Sequence, residues 1–402
     1  MNTPFEGKSV VLCVTGSIAC YKAVDLASKL TQSGALVDVI LSRGAVNFVT
    51  PLTFRSITHR PVVTDVFDTE SELSVEHVAL AQKADVVVVA PATAHTISKI
   101  AHGFADDMIT TTLLATEAPV VVAPAMDANM HENPAVQNNI NTLHKIGITV
   151  VGPEKGRLAS GLWGAGRLVE PAKLIGHIAA ALARNGDLAG QTIIVSAGGT
   201  AEPIDPARVL TNRSTGKQGY AIAEAARDRG ARVKLIAATT TLPDPTAMEV
   251  THVQTVAEMR KAVLNACKKA DVLIMAAAVS DFKPMKQVNY KIKKSPAGGD
   301  MTLKLQENPD FFIEIPKHII KVGFAAESHN LLENARHKLM AKELDLIAAN
   351  DITKPEGGFA SDTNKVTLLD SQGGSEELPL SSKYEVGNII LNRVSSILLS
   401  RK

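Results

Sequence analysis

Short apolar runs recur along the chain, each stopping at glycine, proline or a small hydroxyl residue, with helical spacing between them. VVLCV, VDVIL, VVVVA, VVVA and ITVV in the first half read as buried strands. The pattern is then written again. GKSVVLCVTGSIA from Gly7 is echoed by GQTIIVSAGGTAE from Gly190, GALVDVILSRG from Gly34 by GARVKLIAATT from Gly230, and KADVVVVAPATA from Lys83 by KADVLIMAAAVS from Lys269. Between the first two runs of each half lies a helical pattern, YKAVDLASKLTQSG and YAIAEAARDRG. Strand, helix, strand in this order builds a parallel sheet. The fold class that follows is α/β, with two doubly wound Rossmann-like domains and mainly parallel sheets. The polar, glycine-containing ARNGDLAGQ, Ala183 to Gln191, marks the junction, giving domains 1–186 and 187–402.

Two further patterns give local expectations. GRLASGLWGAGR, Gly156 to Arg167, has four glycines in twelve residues and the only tryptophan, Trp163. Glycine at that density rules out a helix interior, and the segment is predicted to be a mobile loop. YKIKK is predicted to be a strand with Lys291 and Lys293 on one face. In ARHKLMAK, Lys338 and Lys342 share a helix face.

Composition narrows the function. At 402 residues the chain is longer than one core usually sustains. A net charge of +1 supplies no overall field for nucleic acid or a membrane surface. Cys13, Cys20 and Cys267 have no metal-type spacing and suit a reducing compartment. The N-terminal stretch lacks a signal-like pattern, and no apolar run reaches membrane-spanning length. A soluble cytoplasmic protein acting on small molecules is expected.

In an open parallel sheet, ligands sit beyond the carboxyl ends of the strands. Those ends here read TGSIAC, SRGA, PATAHT, PAMDANM and PEKGRLASG, rich in residues that let backbone N–H groups approach an anion. The dinucleotide fingerprint and its acidic partner are both absent, which argues against NAD. A mononucleotide such as FMN fits a single phosphate pocket better; another phosphate or a plain structural turn would also account for the pattern. His77 opens a helix and reads equally as a surface or capping residue. HENPAV lacks the second histidine of a zinc motif. In the second half, STGKQG is not a Walker A loop but opens a helix able to bind phosphate. The basic faces suit either a triphosphate or plain solvation.

Taken in order, TGSIACYK, His77, PATAHT, GFADDMITTTLLA, PAMDANM and GRLASGLWGAGRL resemble the flavin-dependent cysteine decarboxylase family. The likeness extends over the whole chain to the bifunctional family in which such a decarboxylase is fused to a CTP-dependent phosphopantothenate–cysteine ligase. The resemblance implies that FMN oxidises the cysteine thiol, the carboxylate leaves as CO2, and the resulting enethiol is reduced. It implies that Gly16, Ser17, Ile18, Ser42 and Thr93 hold FMN and that His77 is catalytic, imidazole being suited to proton work near neutrality. Two positions depart from the family pattern. Asp127 stands where the better-known members have a carboxylate-binding asparagine. Ser160 stands where they have a proton-donating cysteine, and a hydroxyl is a far weaker acid than a thiol.

For the second half the resemblance implies activation of phosphopantothenate as an acyl-cytidylate, followed by attack of the cysteine amine. Asn212 would hydrogen-bond the intermediate, with Arg208 nearby. Ala276, Ala277, Asp281, Lys291, Pro309, Asp310, Phe324, Lys338 and Lys342 would line the nucleotide site, and Mg2+ would neutralise phosphate charge. It further implies trimeric flavin domains and dimeric ligase domains, assembled up to a dodecamer, with sites shared across subunits. The rival readings are a working ligase with a slowed or inert flavin domain, and a flavin-binding regulatory protein.

Overall fold

The computed structural model describes residues 3–65, 76–294, 300–351, 353 and 360–401. The chain forms two compact units, Met1–Arg184 and Asn185–Lys402. In the first, six parallel strands lie in the order Val62–Val63, Leu36–Leu41, Ser9–Val14, Val86–Ala92, Val120–Pro124 and Thr149–Val150. The central strands are buried on both faces, which is why they read as unbroken apolar runs and not as alternating ones. Val10, Leu12 and Val14 face one core cluster with Leu26 and Leu30 of the helix Cys20–Gln32. Val11 and Cys13 face the opposite one with Ile97 and Leu143. Each such residue, fully buried, contributes about 1.5–3 kcal/mol.

The second unit repeats the plan and extends it. Its eight-stranded sheet runs Glu249–His252, Arg232–Ala237, Thr192–Ala197, Val272–Met275, Ile320–Glu327, Leu346–Asp351, Thr367–Asp370 and Ser375–Glu377. The first six are parallel and the last two pair antiparallel. The three echoed runs thus hold equivalent places, side by side at the centre of each sheet. In both sheets the strand order reverses between the first and third echoed runs, and a crevice opens there at the carboxyl ends. Among the described residues no helix is long and apolar enough to cross a membrane.

The glycine-rich segment is more ordered than expected. Glu154–Arg157 and Trp163–Arg167 form an antiparallel hairpin, and only its tip is a loop. Its glycines mainly permit contact. The Met126 N–H donates to Gly166 O at 3.0 Å, and a Cβ on Gly166 would lie 2.1 Å from Met126 O. Gly166→Ala should therefore push the hairpin off Met126. Overpacking of this kind costs about 1–3 kcal/mol, readable as a lower Tm and faster proteolysis at the tip.

The YKIKK strand is not formed; residues 291–294 have no regular structure. Its backbone is bound by side chains instead. Ile292 N–H donates to Asp205 Oδ2 at 3.1 Å, and Ile292 O accepts from Arg208 at 3.2 Å.

Candidate functional site

Each crevice holds a cavity. That of the first unit, about 520 Å³, is walled by Gly16–Ala19, Thr93, Met126, Asp127 and the hairpin residues Arg157–Ser160. Its floor is pinned by Thr15, whose hydroxyl donates to Pro91 O at 2.7 Å and accepts from Thr93 N–H at 3.0 Å. One buried side chain thus ties the ends of the two strands flanking the switch point. Gly16 packs on the Gly44 backbone, where a Cβ would meet Gly44 Cα at 2.9 Å. The helix Cys20–Gln32 starts there with no side-chain cap; its Cys20 and Lys22 N–H groups are bonded to Ser17 O and Ala19 O, and its dipole favours an anion at this end. Ile18, Met126, Met130 and Leu158 offer apolar wall beside it. A flat ring carrying one phosphate fits this combination.

Not every expected residue reaches that cavity. Gly16, Ser17, Ile18, Thr93, Asp127 and Ser160 line it; Ser42 and His77 do not. Ser42 Oγ accepts from Ala45 N–H at 3.2 Å and shapes the turn on which Gly16 rests. His77 lies half-buried in the helix Glu76–Lys83.

The two departures from the family pattern are in contact. The Ser160 hydroxyl donates to Asp127 Oδ2 at 2.5 Å, and Asp127 Oδ1 accepts from Asn129 N–H at 3.0 Å, capping the helix Ala128–Glu132. Arg157 and Arg167 also line this cavity, Arg167 being paired with Glu170 at 2.9 Å. Neither Arg157 nor Thr15 was anticipated, because a lone arginine or threonine in a sequence carries no signal of what it faces.

The second cavity, about 590 Å³, gathers Asn212–Gly219, Met275–Asp281, Asn308–Phe312, Phe324, Lys338 and Lys342. Of the expected residues, Asn212, Ala276, Ala277, Asp281, Pro309, Asp310, Phe324, Lys338 and Lys342 all converge here. Asn212 Nδ2 donates to the carbonyls of Ala278 and Val279, at 3.3 and 3.4 Å. Lys342 pairs with Asp310 at 2.9 Å and stands 4.8 Å from the Phe312 ring centroid. Lys338 pairs with Glu327 at 2.6 Å. Burial pushes Glu327 upward, but hydrogen bonds from Lys338 and Asn334 outweigh it and hold the carboxyl below its usual range.

Arg208 and Lys291 lie outside the lining. Arg208 is held by Asp205 at 2.7 Å. Desolvation works against Asp205, yet the N–H groups of Ala207 and Ile292 and the Arg208 charge keep it ionised below the ordinary carboxylate range. Among the described residues no group of three or more His, Cys, Asp and Glu could hold a metal ion.

Comparison with known proteins agrees with this division. A family model described as Flavoprotein matches residues 2–183, and one for the DNA/pantothenate metabolism flavoprotein C-terminal domain matches residues 188–398. The chain is 45% identical over 398 residues to the coenzyme A biosynthesis bifunctional protein CoaBC of Bacillus subtilis (strain 168), covering 98% of each. It is 39% identical over 393 residues to the protein of that name from Escherichia coli (strain K12), covering 96% of this chain and 97% of that one. A crystal structure of the C-terminal domain of a CoaBC protein is 34% identical and covers 54% of this chain and 99% of its own, with a TM-score of 0.46. Two family models in tandem and end-to-end identity to these proteins make the chain a member of the coenzyme A biosynthesis bifunctional protein family, with a flavoprotein domain first.

Proposed function

We propose that the second unit joins 4'-phosphopantothenate to cysteine at the expense of CTP, and that the first, carrying FMN, decarboxylates the product to 4'-phosphopantetheine. The observation that carries this reading is the second cavity, where nine expected residues from separate segments meet at one strand-order reversal. In the ligation, a phosphopantothenate carboxylate oxygen attacks the α-phosphorus of CTP and pyrophosphate leaves. The cysteine amine then attacks the acyl carbon and CMP leaves. The helix start at Lys217 and the lysines steady phosphate charge, while Asn212 orients the acyl group. Mg2+ held by the triphosphate oxygens would neutralise part of their charge.

In the first unit, Gly16–Ile18 and Thr93 would hold the FMN, which supplies reversible two-electron chemistry at the substrate thiol. Asp127, engaged by Ser160 and by its own helix, cannot bind a carboxylate as an asparagine would; Arg157 supplies the positive charge instead. His77 does not line the cavity of its own chain. That placement favours a site completed by a neighbouring copy, consistent with trimeric flavin units and paired ligase units in a cytoplasmic oligomer.

Asn212→Ala tests the ligase half. Losing one oriented donor typically costs about 10²–10³ in rate. CTP should still yield a burst of pyrophosphate while CMP release slows by about that factor. Unchanged CMP release would remove Asn212 from the mechanism.

A further inference from the structure

One fully buried carboxylate of the second unit lies outside the cavity yet ties several stretches of chain together. Asp205 ends the strand Ala201–Asp205, and its side chain is 0% exposed. Its Oδ1 accepts from Ala207 N–H at 2.7 Å. Its Oδ2 accepts from Arg208 Nη1 at 2.7 Å and from Ile292 N–H at 3.1 Å. Arg208 Nη1 also donates to Ile292 O at 3.2 Å, so Ile292 is gripped at both its donor and its acceptor. Val288 N–H adds a bond to Ile204 O at 3.3 Å.

A carboxylate taken out of water is costly unless its lone pairs are answered. Here part of the answer comes from a segment with no regular structure of its own, and that segment is strongly basic. Lys291, Lys293 and Lys294 surround Ile292; all three are exposed, and among the described residues none makes an ion pair. Like charges so close together repel, and solvated lysines need no buried anchor. A fixed backbone that leaves its ammonium groups unanswered suits a segment preorganised to meet an anion. The other side of the clamp leads to the cavity. The strand Arg208–Thr211 starts at the Asp205 ion pair and runs directly into Asn212, which lines the cavity. The Thr211 hydroxyl holds that strand by donating to Thr200 O at 2.8 Å. Glu202 Oε1 holds its partner strand by accepting from Val256 N–H at 2.7 Å. Lys291 lies outside the cavity lining, so the placing of its backbone decides whether it reaches a bound nucleotide.

We propose that Asp205 is a positioning residue for ligation: by gripping Ile292 and Arg208 it holds the lysines around Ile292 in a fixed place relative to Asn212, ready for the polyphosphate of the nucleotide. Naming the nucleotide rests on the ligase reading; the clamp itself does not.

The test is a substitution cycle on the full-length protein, read as CTP affinity by calorimetry and as the KM values for CTP and cysteine in ligation. Asp205→Asn should weaken CTP binding and raise the KM for CTP by at least tenfold, with the KM for cysteine within twofold of the parent. Lys291→Gln, Lys293→Gln and Lys294→Gln combined should do the same. Adding Asp205→Asn to that combination should cost nothing more, because a residue that acts through others adds nothing once they are gone. Ile292→Pro deletes the N–H that Asp205 accepts and keeps the test open if Asp205→Asn does not fold. It too should weaken CTP binding at least tenfold. CTP affinity within twofold of the parent in the clamp variants, or losses that multiply when clamp and lysines are changed together, overturn the proposal. If the parent does not ligate while Asp205→Asn still weakens CTP binding through the lysines, the ligase reading falls and the clamp stands.

Discussion

Replacing His77 with glutamine should lower CO2 release from phosphopantothenoylcysteine by about 10²–10⁴-fold, the usual worth of a positioned proton-transfer group. Bound flavin, read from its visible spectrum, should be retained, because His77 is absent from the cavity formed by Gly16–Ile18 and Thr93. Ligation should be unaffected, since Asn212 and its neighbours belong to the other unit. The placement of His77 adds a second expectation. If a neighbouring copy completes the site, mixed oligomers of His77→Gln and Gly16→Val chains recover activity that neither has alone. Gly16→Val should empty the flavin site, because its side chain meets the Gly44 backbone. Wild-type CO2 release in His77→Gln would remove the histidine from the chemistry.

The second large effect concerns Ser160. In the structure its proton is directed at Asp127, so it faces a ligand as an acceptor more readily than as a donor. A thiol in the same place is more acidic by many orders of magnitude, with a pKa of about 8.5. Ser160→Cys should therefore speed reduction of the enethiol by at least tenfold while leaving CO2 release unchanged. Ser160→Ala should do the reverse and let enethiol accumulate. Asp127→Asn is the companion variant: an amide can donate to the substrate carboxylate and should tighten substrate binding. Identical product ratios in the serine, cysteine and alanine proteins would show that the final proton comes from elsewhere.

The central strands were legible because parallel strands buried on both faces leave no alternation to misread. Ser9–Val14 and Thr192–Ala197 stand out as runs for that reason. The hairpin was not legible. Gly164 and Gly166 are there because Ala128 and Met126 press on them, and glycine chosen for contact looks the same as glycine chosen for freedom. At YKIKK, side-chain alternation suggested a strand, but the backbone partners are Asp205 and Arg208, far off in sequence. A second contact was invisible for a related cause: Gln218, in the STGKQG helix start, meets Lys383 across 165 residues, and nothing in the sequence around Lys383 marks it. The nine nucleotide-site residues could be named beforehand only through resemblance, since spacing alone gave little more than a helix start and two basic faces.

The most direct test of the account follows every product of one incubation. Flavin-loaded protein is given 4'-phosphopantothenate, CTP, Mg2+ and cysteine labelled in its carboxyl carbon. Pyrophosphate and CMP should form in equal amounts, followed by one labelled CO2 and one 4'-phosphopantetheine for each CMP. Phosphopantothenoylcysteine that accumulates without labelled CO2 would contradict the decarboxylase half, and absence of cysteine-dependent CMP would contradict the ligase half.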